Sequence, residues 1–244
     1  MTKTDYAKTY RDHVAELEGR LSYDDALKRA VGGNFIAVGK LEYYLLRSLG
    51  LADGHLVVDV GCGCGRLACQ LAHFGAIRYV GTDVVPRLLD YARDLSRRPD
   101  WQFDATDGIA IAVPDRAADF VVFFSVFTHL LHEDTFRYFR EAARVLKPGG
   151  CMVISFVEFR VPTHWDVFAA TVENSKPGQH LNQFIDRDGI HAWALHSGFS
   201  VESIRSGDTF HIPVPEEIVF ENGDRQGTLG TFGQSVAVLR RQPG

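Results

Sequence analysis

Cysteine is scarce in this sequence, and long apolar runs are missing from it. Four cysteines occur among the 244 residues, at positions 62, 64, 69 and 151, and their spacing fits neither a zinc site nor a disulfide framework. Residues 1–20 are charged and helical in pattern, unlike a signal peptide, and no later run reaches membrane-spanning length. We therefore expect reduced thiols, a cytoplasmic location and no membrane partner.

Basic residues are too few to suggest a nucleic-acid partner. Lysine and arginine together number 26 against 31 aspartates and glutamates, which gives a formal net charge of −5. Such a chain has no general electrostatic attraction to a phosphate backbone. We expect no nucleic-acid partner, and a hydrophobic content of 45% allows one large domain with a sizeable core.

What the sequence does contain is an alternation of short apolar runs and helical patterns, which begins at His55. Runs such as HLVVDV, IRYVGTD and DFVVFFS are each followed by a helical segment, and this order predicts parallel strands in an α/β sheet that helices cover on both faces. Residues 1–50 are helical in pattern and are predicted to form an N-terminal cap on a domain of residues 51–244. Residues 158–184 are polar and aromatic, and indicate a substrate-side insertion rather than a regular layer element.

A glycine-rich turn directly follows the first predicted strand, in the stretch VVDVGCGCGR at residues 57–66. The glycines of this turn are Gly61, Gly63 and Gly65. A strand that ends in Asp59, then this turn, then a helix would present backbone N–H groups and a helix N-terminus to a ligand. Asp83 ends the next apolar strand, where a carboxylate can accept hydrogen bonds from the two hydroxyls of a ribose. The combination predicts an adenosine-containing cofactor.

The dinucleotide fingerprint is incomplete in this turn. It requires glycine at position 66, which is arginine here, and no Tyr-x-x-x-Lys pair is recognisable. Two alternatives to a methyl-transferring enzyme stay open at this point. One is an NAD(P)-dependent oxidoreductase, and the other is a non-catalytic nucleoside-binding module of the same fold.

In these motifs the chain resembles the class I methyltransferases that use S-adenosyl-L-methionine. The matching segments, over about residues 55–205, are VVDVGCGCGR, YVGTDVVPRLLDYAR, TDG before PDRAADFVVFFSVFTHL, and EAARVLKPGG. The resemblance implies a doubly wound, mostly parallel seven-stranded Rossmann-like sheet. It also implies a transferase that uses S-adenosyl-L-methionine and releases S-adenosyl-L-homocysteine.

The resemblance further implies roles for individual residues. Asp59 and the turn backbone would face the methionine part, and Asp83 would take the ribose hydroxyls. The acid beside the adenine amino group falls on Asp107, followed by Gly108, with Asp104 as the alternative. The full set of implied cofactor-binding residues is Asp59, Gly61, Cys62, Gly63, Gly65, Asp83, Val84, Asp107, Gly108, Phe124 and Ser125.

The segment after the fourth predicted strand bears on the methyl acceptor. Methyltransferases of this class that act on nucleic-acid or glutamine amino groups carry a proline-proline-aromatic motif there, whereas this chain has FFSVFTHL. We therefore expect a small-molecule or sugar-like acceptor that is methylated at oxygen. His129 is the candidate general base, or else a structural histidine at a loop-to-helix junction.

Other histidines offer weaker candidates. His132 lies three positions after His129, but no third ligand of recognisable spacing follows, so we expect no metal. His164, Trp165 and His180 are substrate-side candidates within residues 158–184. The alternative for this segment is an aromatic lid that packs on itself.

Overall fold

The computed structural model of the chain describes residues 6–174 and 182–243. A 3-10 turn spans Phe127–His129. The α-helices are α1 (Tyr6–Glu18), α2 (Tyr23–Ala30), α3 (Phe35–Ser48), α4 (Arg66–Leu71), α5 (Pro86–Ser96), α6 (His132–Val145), α7 (Pro162–Asn174) and α8 (Arg187–Ser197). The β-strands are β1 (Leu56–Val60), β2 (Arg78–Asp83), β3 (Gln102–Ala105), β4 (Ala118–Phe123), β5 (Leu146–Phe156), β6 (Phe199–Arg205), β7 (Ile212–Val219), β8 (Arg225–Gly230) and β9 (Ser235–Arg241).

Seven strands form one sheet in the order β3-β2-β1-β4-β5-β9-β6. Parallel pairing joins β2 to β3, β1 to β4, and β4 to β5. Strand β9 runs antiparallel to both β5 and β6. This order and these directions confirm the predicted fold class, a doubly wound and mostly parallel seven-stranded sheet.

The chain divides into two compact units. The first comprises Met1–His55, Cys62–Ala105 and Phe210–Phe232, and the second comprises Leu56–Gly61, Thr106–Thr209 and Gly233–Gly244. The N-terminal helices thus share a unit with the second half of the glycine turn and with β2. The predicted boundary between a cap and a domain at residue 50 stays a prediction.

In the first unit, the N-terminal helices contribute to a buried apolar cluster with the glycine turn and α5. The cluster contains Val14, Leu27, Phe35, Cys64, Val85 and Leu88. Ser22 is the N-cap of α2, and its hydroxyl accepts the N–H of Asp25, a normal N-cap interaction. The apolar faces of α1 and α2 are therefore covered by residues that flank the predicted cofactor turn.

The first unit also contains a β-hairpin that the sequence analysis did not predict. Strands β7 and β8 pair antiparallel in a separate two-stranded sheet. The hairpin is hydrogen-bonded to α3 at two places. A carboxylate oxygen of Glu221 accepts the N–H of Phe35. The carboxylate of Glu216 accepts hydrogen bonds from Lys40 and Tyr44. Glu221 caps α3 because Asn34, at the N-cap position, makes no side-chain capping bond.

In the second unit, residues 158–184 contain the regular helix α7, where the sequence indicated no regular element. The difference arises at Pro162, which stands at the first position of α7. Proline is well tolerated there because the first N–H groups of a helix have no partner within the helix. The substrate-side role of this segment stays a prediction. No helix in the described ranges has both the length and the apolar character needed to cross a membrane.

Candidate cofactor site

The glycine turn needs glycine for both its conformation and its packing. Gly61, Gly63 and Gly65 have φ angles of 72°, 55° and 84°, a region that side chains disfavour. In the first unit, a Cβ atom at Gly63 would lie 2.5 Å from Val31, and one at Gly65 would lie 2.7 Å from Ala92. A side chain at either of these two glycines would therefore displace its neighbour.

The N–H groups of this turn do not behave as the sequence suggested. We expected them to face a ligand, but in the first unit Cys62 donates to Thr82 O at 2.9 Å, Gly63 to Asp83 Oδ2 at 3.0 Å, and Gly65 to Cys62 O at 3.0 Å. These three donors are satisfied within the protein. What the turn does fix is the carboxylate of Asp83, through the N–H of Gly63.

Asp83 lies at the carboxyl end of β2 and is only 4% exposed. Its two carboxylate oxygens accept the N–H groups of Gly63 and Val85, at 3.0 and 2.9 Å. Among the described residues it forms no ion pair with a cation. Burial raises the pKa of this carboxyl to about 6, although the backbone hydrogen bonds act in the opposite direction.

Tyr10 is a candidate site residue that the sequence analysis missed. Its hydroxyl donates to Ala30 O at 3.3 Å, and its ring packs against the cluster that contains Cys64 and Val85. Burial, and then the nearby charge of Asp83, raise the pKa of this hydroxyl well above its usual range. No motif marks Tyr10, since its proximity to Asp83 depends on how α1 packs.

In the second unit, Ser125 follows β4 in a left-handed conformation, with φ 59°. A serine in this region is unusual and requires support from its surroundings. A ring of three hydrogen bonds supplies it. Ser125 N–H donates to Ser155 Oγ at 2.7 Å, Ser155 Oγ donates to Gln234 Oε1 at 2.7 Å, and Gln234 Nε2 donates to Ser125 Oγ at 3.0 Å. The neighbouring Phe124 is buried, and neither Ser155 nor Gln234 was a sequence candidate.

The remaining predicted cofactor residues have contrasting surroundings. Asp59 is buried within β1. Asp104 and Asp107 are both exposed, so the choice of the adenine-side acid stays open. The carbonyl oxygen of Gly108 accepts hydrogen bonds from the hydroxyls of Thr106 and Tyr138, and these bonds hold the loop in place.

His129 ends the 3-10 turn and is half-buried, and its N–H donates to Val126 O at 3.0 Å. Its role as a general base stays a prediction. His132 begins α6, with Nε2 at 3.1 Å from Phe184 O. Within residues 6–174 and 182–243, no group of three or more His, Cys, Asp or Glu side chains is placed to hold a metal ion.

His164 is held inside the fold, and its substrate-side role stays a prediction. It is buried, its Nδ1 accepts the N–H of Glu158 at 3.0 Å, and its Nε2 lies 2.8 Å from Gly233 O. Both ring nitrogens are therefore used by the main chain. Trp165 is exposed and belongs to an aromatic group with Phe159, Phe168 and Phe184. His180 lies outside the described residues.

Comparison with known proteins agrees with this architecture. Residues 58–154 match the family model described as a methyltransferase domain. The chain is 34% identical over 133 residues to methyltransferase GfsG of Streptomyces halstedii, which covers 53% of this chain and 47% of that protein. It is 29% identical over 174 residues to the ubiquinone biosynthesis O-methyltransferase of Xanthomonas euvesicatoria pv. vesicatoria (strain 85-10), covering 68% of this chain and 70% of that protein.

A solved structure gives the same fold at low sequence identity. The magnesium protoporphyrin IX methyltransferase ChlM from Synechocystis PCC 6803, with bound SAH, superposes with a TM-score of 0.64 and 17% identity, over 96% of this chain and 99% of that one. The chain spans 47%, 30% and 31% of the length of three curated relatives that it matches. The family match decides against the oxidoreductase alternative. Residues 58–154 therefore match a methyltransferase domain, and the sheet around them has the fold of a solved methyltransferase.

Proposed function

We propose that this chain transfers the methyl group of S-adenosylmethionine to an oxygen atom of a small-molecule acceptor. When bound, this cofactor supplies a methyl group on a positively charged sulfur. The observation that carries the proposal is Asp83, a buried carboxylate that has no cationic partner among the described residues. Hydroxyl donors stabilise the charged form of such a group, and a ribose supplies two hydroxyls.

Methyl transfer is a displacement at carbon, so the protein mainly supplies alignment and excludes water. For a hydroxyl acceptor it must also remove a proton. We assign this step to His129, whose imidazole can exchange a proton near neutral pH. The glycine turn would lie beside the cofactor, and Asp83 and Val84 would hold its ribose.

The acceptor that we propose is an apolar small molecule. The aromatic group formed by Phe159, Trp165, Phe168 and Phe184 leaves Trp165 52% and Phe159 39% exposed. This apolar surface follows the carboxyl end of β5, which is the end of a parallel strand where ligands of α/β proteins bind. An oxygen acceptor is supported by the Xanthomonas relative, whose name specifies O-methylation and whose match extends over 68% of this chain.

The experiment is a turnover screen with isotope-labelled S-adenosylmethionine. The panel holds phenols and alicyclic alcohols, each with its amine and thiol analogue, and Asp83→Ala serves as the control with weakened cofactor binding. We expect label to enter only hydroxyl compounds, with the methyl group located on oxygen by mass spectrometry. Methylation at nitrogen, sulfur or carbon would exclude the oxygen proposal. Binding of S-adenosylhomocysteine without turnover of any panel member would favour the non-catalytic module.

A further inference from the structure

Arg66 is bonded to two N-terminal helical elements of the first unit. It directly follows Gly65 and is the first residue of α4. Its Nε lies 2.8 Å from Glu42 Oε1 on α3, and its Nη1 donates to the carbonyl of Val31 at 2.9 Å. Val31 is the C-cap of α2. One side chain therefore ties the end of the glycine turn to both helices.

The main chain of the turn is also packed directly against these elements. A Cβ atom at Gly39 of α3 would lie 2.5 Å from the carbonyl oxygen of Arg66, so α3 approaches the turn as closely as glycine permits. On the α2 side, a Cβ atom at Gly63 would lie 2.5 Å from Val31. Both helical elements are therefore in direct steric contact with the turn and its continuation into α4.

The ion pair itself is costly to bury. The Glu42 side chain is 2% exposed and that of Arg66 is 13% exposed. Removing both charges from water carries a desolvation penalty, which their attraction does not reliably recover. Fold stability is thus a weak reason for the pair. The bonds to Glu42 and to the carbonyl of Val31 instead fix the position of Arg66, because a guanidinium that is bonded at two points has a single orientation.

The opposite end of the turn leads to the predicted ribose carboxylate. Gly63 N–H donates to Asp83 Oδ2 at 3.0 Å, so the position of the turn sets the orientation of this carboxylate. Glu42, Arg66, the turn and Asp83 thus form one continuous series of contacts within the first unit.

We propose that Glu42 and Arg66 are positioning residues for the cofactor, which hold the glycine turn in the conformation that orients Asp83 toward the ribose. Neither side chain touches the cofactor in this role. The inference rests on the proposed function only in taking S-adenosylhomocysteine as the ligand. A dinucleotide-binding site would have glycine at position 66, and the proposal gives a function to the arginine that this chain has instead.

The test measures S-adenosylhomocysteine binding by calorimetry in the full chain, at a temperature where circular dichroism shows every variant folded. We expect Glu42→Gln and Arg66→Met to weaken binding by roughly 3- to 30-fold, the range for residues that act on a site indirectly. The double variant should bind no more weakly than the poorer single one, since both changes break the same contact. Arg66→Lys keeps the charge and should recover part of the affinity.

The matched control is Lys40→Met. Lys40 also lies on α3 and forms an ion pair, but with Glu216 of the hairpin, so its loss should leave affinity unchanged. A lower melting temperature in Glu42→Gln with affinity within about twofold of wild type would overturn the positioning role. If Glu42→Gln does not fold, Arg66→Met decides by the same criterion. Absence of saturable binding in the wild type would instead remove the proposed function itself.

Discussion

At the residue scale, Asp83 is the most informative side chain. We expect Asp83→Ala to weaken S-adenosylhomocysteine by about 1.5–3 kcal/mol, the usual contribution of hydrogen bonds to a charged group. Calorimetric titration measures this, and Asp94→Ala, at an exposed position of α5, is the control. An unchanged dissociation constant for Asp83→Ala would place the ribose elsewhere.

The raised pKa of Asp83 predicts how cofactor affinity depends on pH. In the ligand-free fold this pKa is about 6, above the ordinary value of 3.8, so the fold disfavours the charged form and protonation below about pH 6 relieves that cost. Ribose hydroxyls bind the charged form. Affinity for S-adenosylhomocysteine should therefore be highest above about pH 7 and fall as the pH drops through 6.

The dependence of cofactor affinity on pH needs a control for Glu42, which is a second buried carboxyl. Burial also raises the pKa of Glu42 to about 6, against the opposing effect of Arg66. We expect Glu42→Gln to keep a pH-dependent affinity and Asp83→Asn to lose the part that arises at Asp83. A flat wild-type profile between about pH 5 and 8 would show that Asp83 does not bind the ligand.

His129 decides between two kinds of catalysis. If it removes the acceptor proton, His129→Gln should lower the single-turnover rate by about 10²- to 10⁴-fold, with cofactor affinity within a few-fold of wild type. A structural histidine would instead lose thermal stability and cofactor affinity together. Rapid-quench measurement at saturating cofactor and acceptor distinguishes them, and a mutant rate within about threefold of wild type leaves alignment and water exclusion as the mechanism.

At the element scale, the N-terminal helices belong to the core around the glycine turn. Leu27 of α2 is fully buried in the cluster with Cys64, Val85 and Leu88. We expect Leu27→Ala to lower the free energy of unfolding by about 2–5 kcal/mol, because it removes buried methyl groups and leaves a cavity. Urea denaturation measures it. Leu21→Ala, at a residue 44% exposed, should cost far less, and equal effects would contradict the buried packing of α2.

Two elements show where local sequence patterns were insufficient. The β7–β8 hairpin carries prolines at 213 and 215, which weaken a strand signal. The signal that could have found it is the turn pair Asn222–Gly223, with Gly223 at φ 89°. Helix α7 buries only His164 among its residues, so it lacks the apolar periodicity from which a helix is predicted.

At the scale of a whole compact unit, Glu158 joins distant segments of the second unit. Its buried carboxylate forms a two-point ion pair with Arg187 of α8, at 2.8 and 2.7 Å, and accepts the hydroxyl of Ser235 in β9 at 2.6 Å. We expect Arg187→Met to destabilise the protein by about 3–5 kcal/mol, because it leaves a buried charge unpaired. Chemical denaturation tests this, with the exposed Arg225 in the control Arg225→Met. A similar loss of unfolding free energy in Arg187→Met and Arg225→Met would show that burial of the ion pair does not determine its contribution.

The sequence by itself determined the elements whose signals are local. Alternating apolar runs and helical patterns indicated the parallel sheet, because strand and helix periodicity are properties of neighbouring residues. The glycines after β1 and the acid that ends β2 indicated the cofactor class, because turn conformation and strand-end position are fixed within a few residues.

Only the tertiary structure decided the partners of these groups. It showed that Gly63 donates to Asp83, that Tyr10 lies near this acid, and that His164 is bonded to the main chain through both ring nitrogens. These contacts join residues far apart in sequence, or depend on which face of a helix is buried. Their physical cause is side-chain packing between elements, which no local pattern of residues encodes.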